Sequence, residues 1–439
     1  MRIAFVPIDN RPVCYQLPKM IADMGSSVEF FIPQRDWLGD LKKYANTDCL
    51  LDWLESLNNI DALILPLDTV AYGGLISSRR CEDSFEEISY KLSRLKSILL
   101  KTGAKVYAFS SVMRISNNNV NEEEKVYWAD YGVKIFEYSY NFHKSGTQET
   151  SVPKEILEDY LKTRKRNFEV NKIYLEWQKE GVFDTLIFSK DDCAPYGLNV
   201  MEALELEKLG GLVRTGADEI PLSLLARALK KEVKVCPIFL EPECKGLVSN
   251  YEDVSIEKSV LGQLELAGCR VVSYKEADVL LYVNNFRNQQ GEIVMKRDTE
   301  PFSGEWQRPE KPYMIADVRF ANGADNAFVQ KLFDAGLGEN FCGYSAWNTS
   351  ANSLGSLICA MKYRKGFDEN FKRLQVVRFL DDWAYQANVR QMLKTPDKNE
   401  IVSLMKPYED VIRRVLNVDF SASYSFPWNR LFEVEVELS

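Results

Sequence analysis

Short, nearly continuous apolar runs alternate with amphipathic stretches along most of the chain. The runs at 2–7, 27–32, 61–67, 105–110, 184–189, 212–215 and 234–240 predict strands, and those at 269–273, 278–283, 313–318 and 341–344 predict four more. Their apolar residues are consecutive rather than alternate. That is expected of strands covered on both faces, as crossover helices cover a parallel sheet. Amphipathic stretches at 84–101, 153–178, 199–209, 219–231 and 255–267 predict helices between them. The pattern predicts an α/β protein. An N-terminal (β/α) barrel-like or doubly wound parallel domain is expected over 1–240, with seven strands. A second, smaller α/β domain follows over 241–365, and residues 366–439 form a mainly helical C-terminal region. Residues 430–438 alternate strictly and read as a final edge strand with one wet face. Glu241-Pro242-Glu243-Cys244-Lys245-Gly246 reads as the first junction, and 286–312 as a long polar loop or hairpin.

The polar residues gain meaning from where they fall on this pattern. Asp9, Asn10 and Arg11 follow the first predicted strand, and Arg35-Asp36-Trp37 comes soon after the second. Asp68, with Gly73-Gly74 and Arg79 beyond it, follows the third, and Arg114 with Asn117-Asn118-Asn119 follows the fourth. Lys190-Asp191-Asp192 follows the fifth, and Gly216-Ala217-Asp218-Glu219 the sixth. Parallel α/β folds collect their strand C-termini on one rim, where active sites sit. Loops are polar in any case, but acids and arginines recur here immediately at strand ends.

Two acidic pairs stand out. Asp191 and Asp192 end a buried strand just before Pro195 and Gly197, so a turn lets both carboxylates converge on one ligand. Close like charges separate their proton affinities, giving one acid and one charged partner. Metal ligation or a helix N-cap are the alternatives for that pair. Asp218-Glu219, just before Ile220-Pro221, is either a second site pair or an ordinary helix start. The glycine pair Gly73-Gly74 lets backbone approach a ligand, and Arg79 is suited to clamp an anion or hydroxyls. Neither Gly-x-Gly-x-x-Gly nor a Walker loop is present, so no nucleotide is expected. In the second α/β stretch, Asn322, Asp325 and Asn348 offer hydrogen bonds and Trp347 a flat apolar face. This is equipment for holding a sugar, or else a set of Asx turns and caps. Asp381-Asp382 is expected to be mid-helix, solvated and structural.

Composition narrows the chemistry. One histidine in 439 residues, His143, excludes any multi-histidine metal site. It lies in a polar stretch and reads as structural or surface rather than as part of a Ser-His-Asp triad. A net charge of −9 argues against nucleic acid or an anionic membrane as partner. No apolar run is as long as a membrane span. Residues 1–7 read as a first strand rather than a signal peptide. The 9 cysteines, Cys193 beside the Asp pair among them, are scattered with no Cys-x-x-Cys, so reduced thiols and a cytoplasmic protein are expected. The expected partner is a small-molecule or oligosaccharide substrate, with no cofactor.

Taken together, several motifs resemble a bacterial family catalogued as domain of unknown function 4127. They are Pro7-x-Asp9-x-Arg11-Pro12, Gly73-Gly74-Leu75-Ile76-Ser77-Ser78-Arg79 and Asp191-Asp192-x-x-Pro195-x-Gly197, then Gly216-Ala217-Asp218-Glu219, Ala321-Asn322-Gly323-Ala324-Asp325 and Trp347-Asn348-Thr349. That resemblance spans nearly the whole chain and implies no activity. More locally, a strand ending in two aspartates is similar to O-GlcNAcase-type glycoside hydrolases, and Gly-x-Asp-Glu at a strand end is similar to the β-hexosaminidase type. Both imply a barrel enzyme with substrate-assisted retention on amino-sugar glycosides. The first resemblance makes Asp191 the residue that orients the 2-acetamido group and Asp192 the acid/base. The second makes Asp218 the orienting residue and Glu219 the acid. Asp191-Asp192 is the preferred pair here, although it falls on the fifth predicted strand rather than the fourth. Asp9, Arg11, Asp68, Arg79 and Arg114, with Asn322, Asp325, Trp347 and Asn348, are then expected to bind substrate. The rival expectations are a hydrolase holding Mg²⁺ or Mn²⁺ through Asp9, Asp68, Asp191 and Asp192, and a sugar- or metabolite-binding protein without catalysis.

Overall fold

The computed structural model describes residues 1–25, 27–191 and 194–439. It is an α/β protein with two open parallel sheets. The first is built from β1 (Arg2–Phe5), β2 (Glu29–Phe31), β3 (Ala62–Pro66), β4 (Lys105–Val112), β5 (Thr185–Lys190) and β6 (Leu212–Thr215). They pair in the order β2-β1-β3-β4-β5-β6, every pair parallel. No barrel closes, because β2 and β6 remain as the two edges. Apolar periodicity specifies that strands and helices alternate, but not the order in which the strands pair. Here the chain goes from the edge strand β2 back past β1 to β3, the reversal that defines a doubly wound sheet.

All of β3 and seven of the eight residues of β4 are buried. One face of this sheet offers Leu63, Leu65, Val106, Ala108, Leu186 and Phe188 to a core completed by two helices. Helix Phe85–Thr102 contributes Ile88, Leu92, Leu95 and Leu99, spaced on one helical stripe. It starts in a Ser84–Glu87 capping box and ends at Gly103 in the left-handed region. Helix Lys154–Lys179 contributes Val170, Tyr174 and Trp177.

The second sheet contains β7 (Lys234–Phe239), β8 (Arg270–Val271) and β9 (Val279–Asn284). Next in the chain come the short β10 (Gly291–Glu292), then β11 (Tyr313–Asp317), the short β12 (Phe320–Ala321) and β13 (Phe341–Ser345). The five-stranded order is β13-β11-β9-β7-β8, with β10 and β12 paired apart from it. The seventh predicted strand, β7, therefore belongs to this sheet and not to the first. Counted along the chain, both sheets begin with the same order, second–first–third–fourth–fifth. The C-terminal residues supply helices Glu369–Arg378 and Lys398–Leu416 and an antiparallel pair, β14 (Ala422–Ser425) with β15 (Glu435–Leu438).

The chain forms two compact units. The first takes Met1–Tyr15, Ser27–Pro221 and Tyr251–Asp253, and the second takes Gln16–Ser26, Leu222–Asn250 and Val254–Ser439. No helix among the described residues is long and apolar enough to cross a membrane.

Candidate active site

In the first unit the side chains at the strand C-termini form one polar, largely buried group. Beyond β1 the chain turns at Asp9, whose Oδ1 accepts the backbone N–H of Arg11 at 2.9 Å. The Thr69 hydroxyl, after β3, lies 3.2 Å from the carbonyls of both Pro7 and Ile8 and ties the two loops at the order reversal. Arg11 is 7% exposed. Its Nε lies 3.0 and 2.8 Å from the two oxygens of Asp9. Its far end donates to Asp218, Nη2 to Oδ1 at 2.5 Å and Nη1 to Oδ2 at 3.2 Å. One guanidinium thus serves two carboxylates, the geometry for which arginine's fork is suited.

Beyond β6, Gly216 has φ +114°, and a Cβ there would lie 1.7 Å from Glu219 Oε1. Only glycine allows the Glu219 carboxyl to fold back against this turn, where its Oε2 accepts the Ala217 N–H at 3.1 Å. Burial, reinforced by the charges of Asp218 and Glu252, pushes the Glu219 carboxyl up to about 8. Burial also raises Asp218, with Arg11 opposing and Asp9 reinforcing. Burial carries Asp68 up to about 7, although its Oδ2 accepts the Ser111 N–H at 2.8 Å.

Arg79, on the short helix Ser77–Arg80 reached through Gly73 and Gly74, is 3% exposed. It pairs with Glu124 at 3.1 Å and Glu123 at 3.4 Å. Arg114, just past β4, pairs with the same two glutamates at 3.3 and 2.9 Å and with Asp191 at 3.6 Å. Burial lowers Arg79, Arg114 reinforces this, and Glu124, Glu123 and Asp191 oppose it. Glu123 also acts on Asp218, so the two sets share one electrostatic neighbourhood. A cleft of about 780 Å³ lies beside them, lined by Arg80, Glu124, Lys125, Tyr127 and Asp159 among others.

Six expected site residues are gathered here with Glu219: Asp9, Arg11, Arg79, Arg114, Asp191 and Asp218. Asp68, after β3, is tied in through the charge of Arg79, which opposes the rise in its proton affinity. Asp192 and Cys193 lie outside the described residues. Sequence reasoning missed Glu123 and Glu124, because a Glu122-Glu123-Glu124 run after three asparagines reads as a solvated loop. It also missed Asp253, which accepts the Lys190 ammonium and, at 2.8 Å, the Thr215 hydroxyl. Asp253 thereby links the last residues of β5 and β6. Nothing in the local sequence around Asp253 marks it.

Asn322, Asp325, Trp347 and Asn348 belong to the second unit. Asn322 and Asn348 sit in the left-handed region, φ 60° and 56°. Asn352 donates to Asn348 at 2.7 Å, Asn348 to Asn322 at 2.9 Å and Asn322 to Glu292 at 2.6 Å. Asn352 Oδ1, at the far end, is buried with no partner among the described residues. Trp347 is buried and meets Phe432 edge-on. Asp325 caps helix Asn326–Ala335 through Oδ1 and accepts the Phe302 N–H at 2.7 Å through Oδ2. Asp382, expected to be solvated, is instead fully buried. It pairs with Arg378 and accepts the Ala346 N–H at 2.7 Å. It lies in a π-helical stretch, Phe379–Gln386, whose wider turn displaces side chains from their α-helical faces.

Asp9, Cys14 and Asp218 bring ligand atoms within 4.8 Å of one another, a donor set compatible with a metal ion. Arg11 already holds both carboxylates of that set. The expected metal ligands are differently engaged: Asp9 by Arg11, Asp68 by Ser111 and Asp191 by Arg114.

A family model described as protein of unknown function (DUF4127) matches residues 3–437. The chain belongs to that family. No curated protein matches it. In this DUF4127 chain the motif residues from Asp9 to Glu219 fall in the first unit. Those around Asn322 and Trp347 fall in the second.

Proposed function

We propose that the protein is a glycoside hydrolase for an N-acetylhexosamine glycoside, working by substrate-assisted retention with Asp218 and Glu219 as the operative pair. The observation that carries this reading is the contrast between two adjacent carboxyls. Burial raises both, but Glu219, pushed up to about 8, folds back on the Ala217 N–H, whereas Asp218 is held by the Arg11 guanidinium. A buried carboxyl beside other acids suits the acid role, and one held by a guanidinium suits that of charged partner. Glu219 gives its proton to the leaving oxygen as the substrate's own acetamido oxygen attacks the anomeric carbon. Asp218 orients that acetamido group. Glu219 then takes a proton from the water that opens the cyclic intermediate. In the other pair the orienting residue, Asp191, is more exposed and faces Arg114 at 3.6 Å, and its acid partner Asp192 lies outside the described residues. A divalent ion between Asp9 and Asp218 would meet the positive charge of Arg11, which favours the metal-free reading over the metal-dependent one.

The test is hydrolysis of a panel of nitrophenyl glycosides, with and without EDTA. The proteins are the wild type, Glu219→Gln, Asp218→Asn and Asp192→Asn. Release from an N-acetylhexosaminide that survives EDTA and falls about 10²–10⁴-fold in Glu219→Gln supports the reading. Loss confined to Asp192→Asn would move catalysis to the other pair. Release abolished by EDTA alone would identify a metal-dependent hydrolase, and binding without release a sugar-binding protein.

A further inference from the structure

The chain's single histidine holds the start of a helix that follows the β5 loop. Helix Leu198–Lys208 begins at Gly197, and no side chain of its own caps it. Its first amides are taken from outside. His143 Nδ1 accepts the Gly197 N–H at 3.0 Å, and the Ser139 hydroxyl accepts the Leu198 N–H at 2.8 Å. Both acceptors lie one turn apart on helix Trp128–Ser145. Tyr196 packs edge-on against His143 and Tyr140, each with ring centres 5.3 Å apart. Helix ends leave N–H groups that must find acceptors, and here an imidazole is one of them.

An imidazole accepts at Nδ1 only when that nitrogen carries no proton. We infer that His143 is a pH-operated latch: protonation at Nδ1 turns the acceptor into a donor facing the Gly197 N–H and releases the start of helix Leu198–Lys208. The charged and titratable groups around His143 are few. On its own helix, Lys144 lies over the Tyr140 ring at 5.5 Å. Tyr196 contributes a neutral phenol. The first turn of helix Leu198–Lys208 has no acidic residue, and Glu202 beyond it is paired with Arg164 of helix Lys154–Lys179 at 2.5 Å. No carboxylate in this set replaces the lost hydrogen bond. Histidine as a residue type is the side chain that exchanges a proton near neutral pH, so pH is the variable to test. The Ser139–Leu198 bond has no titrating member and stays.

The experiment is amide hydrogen exchange on the full chain at pH 7.5 and 5.5, corrected for the intrinsic pH dependence of exchange. The Gly197 amide is expected to lose protection by about tenfold or more at the lower pH, with distant core amides unchanged. In His143→Asn the side-chain oxygen stands near the place of Nδ1 and does not titrate, so protection at Gly197 should become independent of pH. Ser139→Ala should weaken Leu198 at both pH values and keep the pH dependence at Gly197. The lone imidazole also gives one set of ¹⁵N resonances, expected at pH 7.5 to show the proton on Nε2. A proton on Nδ1 at neutral pH would overturn the latch. So would Gly197 protection that does not change with pH, or that changes equally in His143→Asn.

Discussion

Arg11 and Asp218 stand 207 residues apart in the chain and meet through two hydrogen bonds, at 2.5 and 3.2 Å. The same guanidinium also neutralises Asp9, so it compensates one buried and one largely buried carboxylate at once. Removing one partner of a buried ion pair costs about 3–5 kcal/mol, chiefly because the remaining charge stays buried. Arg11→Met is therefore expected to lower stability by about that amount in urea unfolding at pH 7. Arg11→Lys should fall between it and the wild type, since an ammonium keeps the charge but cannot span both carboxylates as a fork. Equal stability of all three proteins would show that the pairing contributes nothing.

Gly216 and Glu219 make a second linked pair. Gly216→Ala places a methyl group against the Glu219 carboxyl and demands a backbone conformation costly for alanine, together about 2 kcal/mol or more. Combined with Glu219→Ala, the clash disappears and only the backbone cost remains. The double variant should lose less than the sum of the two single losses. Simple additivity in that cycle would mean that the two side chains do not touch.

The raised carboxyls set the pH dependence of stability. Glu219 and Asp68 hold their protons to about 8 and 7 when folded, against ordinary values of 4.5 and 3.8. The folded state therefore binds more protons than the unfolded chain between those limits. Stability from these groups is fully present in acid, below about pH 4. It is lost progressively as pH rises through neutrality to about 8. Glu219→Gln removes its share of that loss, so its stability relative to wild type should rise between pH 5 and 8, by a few kcal/mol at most. Urea titrations at pH 5, 6.5 and 8 measure this. A constant difference across the three would mean that Glu219 is ionised throughout.

In the second unit, Asp382→Ala should be strongly destabilising, by about 3–5 kcal/mol, because it leaves Arg378 buried without that partner and the Ala346 N–H without its acceptor. Asp381→Ala, at the more exposed position beside it, should cost less. Thermal or urea unfolding of the two variants would rank them, and the reverse order would contradict the burial seen at Asp382.

How far the sequence reveals this protein depends on the range of the interactions. The strand ends bearing Asp9, Asp68, Arg114, Asp191 and Asp218 are legible because each acid or arginine directly follows an apolar run. The open sheet is not legible, because β1 pairing with both β2 and β3 is a non-local choice that no run of residues records. Helix Trp128–Ser145 is missed for another reason: Tyr140 to Gly146 is polar, and its first residues follow a charged loop. Glu123 and Glu124 look solvated until two arginines from other loops are placed against them. Asp382 looks solvated because an α-helical reading hides the π-helical stretch that turns it inward.

Asp253 has a consequence for the order in which the protein is made. Synthesis releases all six strands of the first sheet, and then β7 of the second, before residue 253 exists. Until it does, the Lys190 ammonium and Thr215 hydroxyl at the ends of β5 and β6 lack the carboxylate that joins them. A fragment ending near residue 240 would carry every strand of that sheet and still leave its rim unjoined. The boundary that matters for the first unit is set by a three-residue return of the chain, Tyr251–Asp253, rather than by the last strand of the sheet.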